Sequence, residues 1–85
     1  MIDPLKKITI VLISYNSSEK LKKFIKKIPK KTAIFIIDNS KDYKLKKIFK
    51  ANKNVKIFYK KNLGYGSSIN YAAKRIKTPY FFVVQ

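Results

Sequence analysis

The sequence predicts an α/β fold with a parallel sheet. Two observations carry this. Apolar, β-branched runs alternate with helix-period segments in the order β-α-β-α-β-α-β, and the connections between them are short. Runs without polar/apolar alternation suit strands buried on both faces, as inside a parallel sheet. Right-handed crossovers then lay helices on the faces of that sheet.

The first strand, Ile8-Thr9-Ile10-Val11-Leu12-Ile13, ends abruptly in Ser14-Tyr15-Asn16. Asn16 is placed to cap a helix, with Glu19 three residues on completing a capping box. Leu21, Phe24, Ile25 and Ile28 follow at i, i+3, i+4, i+7, which is one apolar helix face. Lysines cover the other sides and Pro29 stops the helix. Residues 32–37 form a second apolar run, again with a polar end, Asp38-Asn39-Ser40. Residues 42–51 read as a short helix with Leu45, Ile48 and Phe49 inward. Residues 55–59 alternate, which suits a strand nearer the sheet edge. Asn62-Leu63-Gly64-Tyr65-Gly66 then opens a third helix, with Ile69, Ala72, Ala73 and Ile76 inward and Thr78-Pro79 at its end. Residues 80–84 are a fourth apolar strand. An apolar, aromatic strand at the end of the chain would aggregate as a free edge, so the expectation is one partial domain, 1–85, forming the front part of a larger one.

Parallel strands bring Ser14–Asn16, Asp38–Ser40 and the 60–66 loop to one edge, the edge where open α/β sheets bind ligands. Asp38 there can accept hydrogen bonds from a ribose hydroxyl or a base imide. Asp-Asn-Ser is also ordinary turn chemistry. The residues of that segment leave both readings open, and the convergence with Ser14-Tyr15-Asn16 favours the ligand. Tyr15 can stack on a base, and the Gly64/Gly66 loop can offer backbone N–H groups to a phosphate. As a dinucleotide fingerprint the loop fails, because Ile69 replaces the third glycine and the loop follows the third strand.

Composition excludes several chemistries. There is no Cys and no His, so thiol chemistry, the usual general base and the commonest transition-metal ligand are absent. The net charge is +17, with 21 basic residues against 4 acidic. That excess suits an anionic partner. Nearly all of it is lysine spread over helix faces, the default solvated residue, so nucleic acid stands as the alternative partner and not the leading one. No run is long enough to span a bilayer, and the N-terminus lacks a signal-peptide pattern. A cytoplasmic location is expected.

Three ordered segments resemble family 2 glycosyltransferases: residues 8–16, the stretch Ile36-Ile37-Asp38-Asn39-Ser40-Lys41-Asp42, and Asn62-Leu63-Gly64-Tyr65-Gly66-Ser67-Ser68-Ile69-Asn70-Tyr71-Ala72. The last is similar to the bacterial branch of rhamnosyl- and galactofuranosyl-type transferases. The resemblance implies a Rossmann-like three-layer α/β/α arrangement, the N-terminal half of a GT-A fold, with strand order 3-2-1-4. It implies an inverting enzyme of cell-wall or polysaccharide biosynthesis. Its UDP- or dTDP-sugar donor would touch Tyr15 and Asp38 through base and ribose. Ser14, Asn16 and Ser40 would line the pocket, and Asn62, Gly64 and Gly66 would lie near the diphosphate. It implies a glycan or lipid-linked acceptor, peripheral contact with the inner membrane face through lysines, and a divalent metal, Mg or Mn, in the complete enzyme. The metal motif and the general base of that family lie beyond residue 85, so this chain alone is expected to be inactive.

Overall fold

The computed structural model describes residues 4–61 and 64–84, without the side chains of Leu5 and Tyr65. A 3-10 turn leads into β1 (Ile8–Ser14), followed by α1 (Ser18–Ile25), β2 (Ala33–Asp38), α2 (Lys44–Ile48), β3 (Val55–Tyr59), α3 (Tyr65–Ala73) and β4 (Tyr80–Val84). The sheet is parallel, in the expected order β3-β2-β1-β4. Its register sets Ser14 beside Asp38, and Asp38 beside Tyr59.

The two central strands explain their own sequences. Leu12, Ile34 and Ile36 pack on one face against Leu21 and Ile25 of α1, with Leu45 of α2 and Phe49 just beyond it. Val11, Phe35 and Ile37 pack on the other against Ala72 of α3. Both faces are dry, so polar residues have no place in the alternation. Edge strand β3 alternates as expected, with Lys56 exposed. The direction of strand addition reverses at β1, between β2 and β4. That is the topological switch point at which such sheets form a ligand crevice.

Some local expectations change. Asn16 does not cap α1. It sits in the left-handed region at φ 50°, and Ser17 takes the cap position without a side-chain cap bond. The reason is that Asn16 N–H is spent on Ser40 Oγ at 2.9 Å and Ser17 Oγ on the Tyr15 carbonyl at 3.0 Å. Glu19 instead pairs with Lys22 at 3.1 Å. Helix α2 is shorter than 42–51: Asp42 and Tyr43 precede it, and Phe49 leaves helical geometry at φ −102° and ψ 17°. On α3, Ala73 is exposed and Ser68 takes its place in the buried set with Ala72, one turn apart. Strand β4 lies at a sheet edge with Tyr80, Phe81 and Phe82 exposed.

Candidate functional site

The carboxyl edge of the sheet is stitched by a polar network that begins with Asp38. Asp38 ends β2 and is fully buried. Its Oδ1 accepts from Ser40 Oγ at 2.8 Å, and its Oδ2 accepts from the Asp42 N–H at 2.8 Å. A buried carboxylate must have such partners, because an unpaired charge there is strongly destabilising. Ser40 Oγ in turn accepts from Asn16 N–H. A continuous donor chain therefore runs from the β1–α1 turn to the end of β2.

Asn39 makes a second link that the sequence did not single out. Its N–H donates to the Ser14 carbonyl at 2.8 Å, and its Nδ2 donates to the Lys60 carbonyl at 2.9 Å. Its Oδ1 accepts from Ser68 Oγ at 3.3 Å. One side chain thus ties β2 to the end of β3 and to the first turn of α3. The Lys60 N–H donates to the Asp38 carbonyl at 2.9 Å, closing the same junction. Ser68 was also missed. Its one signal was a hydroxyl in the position of an inward helix residue, and a turn sequence does not say which side chain folds inward.

The predicted site residues sort into two groups. Ser14, Asn16, Asp38 and Ser40 are brought together at the edge through these bonds and the strand register. Ser14 is fully buried and its Oγ has no partner among the described residues. Tyr15 is 61% exposed beside Asn16. Both line a cavity of about 310 Å³ that continues along Ser17 to Lys20. Gly64 and Gly66 stand at the start of α3, with open space where a Cβ would project from each. Asn62 lies outside the described residues.

Tyr43 and Tyr59 flank the network, their rings 4.8 Å apart at an edge-to-face angle. Tyr59 donates its hydroxyl to the Asp42 carbonyl at 3.1 Å. Burial raises its pKa above 10.0; the nearby Asp38, Asp42 and Tyr43 add to this, and the backbone hydrogen bond at Lys46 opposes it. A raised folded-state value contributes stability present below pH 10.0 and lost as pH climbs through the folded value. Stability measured above pH 10 is therefore expected to fall more steeply in the native chain than in Tyr59→Phe. Parallel curves would refute this.

The sequence profile of Glycosyl transferase family 2 matches residues 9–84. The chain belongs to this family. No curated protein and no solved structure gave a match. Membership makes the protein a glycosyltransferase, and the nucleic-acid-binding alternative is not favoured. The family implies a nucleotide-sugar donor and an acceptor in general. The sheet and its order agree with the Rossmann-like N-terminal half of the family's GT-A fold.

Family 2 enzymes commonly use a divalent metal. The residues described do not build a site for one. No three metal-ligating side chains come together among them, and the buried Asp38 has both oxygens committed. No helix among the described residues is long and apolar enough to cross a membrane.

Proposed function

We propose that this chain is the donor-binding half of a family 2 glycosyltransferase. It holds a UDP- or dTDP-sugar for inverting transfer to a glycan or lipid-linked acceptor, as in the rhamnosyl- and galactofuranosyl-type branch, in cell-wall or polysaccharide synthesis. The observation that carries this is the Asn16–Ser40–Asp38 chain at the carboxyl edge of the sheet, beside the switch point. A ribose hydroxyl has the chemistry to take the place of Ser40 as donor to Asp38 Oδ1. The base stacks on exposed Tyr15, the unpartnered Ser14 hydroxyl backs the pocket, and the diphosphate approaches Asn62, Gly64 and Gly66. Contact of the lysine-rich surface with the inner face of a membrane belongs to the same proposal.

Tyr15→Ala tests it. The ring is exposed, so the fold should be unaffected. Loss of one stacked base costs about 1–3 kcal/mol, or roughly 5–150-fold in Kd. Calorimetry with UDP and dTDP, against ADP as control, reads this directly. Unchanged affinity in the variant, or no preference for the pyrimidine diphosphates, would sink the reading.

A further inference from the structure

Beside the donor edge, the outer face of α3 carries an open pocket of about 580 Å³, lined by Lys60, Ser67, Asn70, Tyr71, Lys74 and Arg75. The Tyr71 side chain is part of its wall. The Arg75 guanidinium lies 3.6 Å from the ring centroid and Lys60 Nζ lies 4.9 Å from it. Arg75 is held further by a bond from Nη1 to the Tyr71 carbonyl at 3.1 Å. The ring is braced from within, edge-to-face on Phe58 at 5.9 Å, and Phe58 in turn on buried Phe35 at 5.1 Å. Two cations are thus gathered onto one platform anchored in the core, with Lys74 beside them.

No carboxylate among the described residues is paired with them. Of the acids among the described residues, Glu19 is bound to Lys22 on α1, Asp38 ends β2 with its oxygens on Ser40 and Asp42, and Asp42 lies in the β2–α2 connection. Like charges collected without a counter-charge repel one another, and an anion relieves that repulsion. The charged and amide groups of the lining are an arginine fork, two ammonium groups and an amide, joined by the Ser67 hydroxyl. Planar and point-charge donors in this combination suit phosphate oxygens. Arg75 already occupies one face of the Tyr71 ring, so the pocket offers cations more than a bare stacking surface. We propose that this pocket binds a phosphate or diphosphate ester on the outer face of α3, adjoining the donor edge at Lys60. The ester comes either from a soluble diphosphate or from an acidic lipid headgroup. The assignment does not depend on the donor reading.

The test is an NMR titration of the chain with inorganic pyrophosphate at constant ionic strength, paired with sedimentation on phosphatidylglycerol/phosphatidylcholine vesicles. Saturable shifts at Ser67, Asn70 and Tyr71 are expected. Lys74→Glu with Arg75→Glu should weaken binding by at least about ten-fold, as expected for reversal of two phosphate-facing charges. The charge-matched pair Lys26→Glu with Lys27→Glu on the opposite face should change it by less than about two-fold. The neutral pair Lys74→Gln with Arg75→Gln guards against misfolding of the reversed one. Pyrophosphate binding alone assigns the soluble source, and vesicle binding lost in the same variants assigns the lipid. Three results overturn the proposal: no saturable binding in either arm, equal loss in both charge-reversed pairs, or shifts confined to Ser14, Asn16 and Gly64.

Discussion

Replacing Asp38 by alanine is expected to lower unfolding free energy by about 2–4 kcal/mol, because two donors lose their acceptor at a buried position. A chain of this size has a total stability of only about 4–13 kcal/mol, so the change is a large fraction of it. The cost arises because Asp38 is fully buried and holds both the Ser40 hydroxyl and the Asp42 N–H. Without it, Ser40 no longer has reason to stay under Asn16, and the bond from Asn39 N–H to the Ser14 carbonyl is left to hold the β1–α1 and β2–α2 turns together. Asp38→Asn grades the effect. Its Oδ1 still accepts from Ser40, while its Nδ2 opposes the Asp42 N–H, donor against donor. About half the loss is expected for that variant. Urea denaturation measures both. A loss under about 0.5 kcal/mol for the alanine variant would mean that water satisfies the two donors and that Asp38 does not organise the edge. Donor affinity, measured where the variants remain folded, should fall in the same order, alanine below asparagine below native.

This result bears on what the sequence could reveal. The fold was legible because β1 and β2 are dry on both faces and say so in unbroken apolar runs, and because Lys56 marks β3 as an edge. The convergence of Ser14, Asp38 and the glycine loop on one edge follows from parallel strands alone. The direction of individual side chains did not follow. Asp38 was legible as a ligand residue or a turn residue. In the structure its oxygens serve the turn, and its part in binding a donor rests on a ligand replacing Ser40. Asn16 looked like a helix cap because Asn-x-x-Glu is a capping pattern, yet a contact 24 residues away in sequence, to Ser40, claims its N–H. Asn39 stood in a turn and in the family-like segment, and neither showed that its side chain joins β2 to α3. Long-range hydrogen bonds of this kind leave no periodicity to read.

The glycine pair separates conformational need from ligand approach. Gly64 has φ 104° and ψ 163°, a region that side-chain-bearing residues avoid, and a Cβ there would meet nothing within 4 Å. Gly64→Ala therefore costs backbone strain alone, about 1–3 kcal/mol, unless the loop leading into α3 rearranges. Gly66 lies inside the first turn of α3, and its Cβ position is equally open. Helix propensity alone makes Gly66→Ala stabilising by about 0.5–1 kcal/mol, which raises Tm by roughly 2–8 °C in a domain this small. Glycine at 66 is then a local disadvantage that the fold does not require. Close approach of a diphosphate to the backbone would require it. The expected result is a Gly66→Ala variant that melts higher and binds UDP or dTDP at least about ten-fold more weakly, since even a small misfit against a bound phosphate costs more than 1.4 kcal/mol. Thermal melts and calorimetry on the two alanine variants read both quantities. Higher stability with unchanged affinity would remove Gly66 from the donor site and leave Gly64 as the one glycine the loop needs.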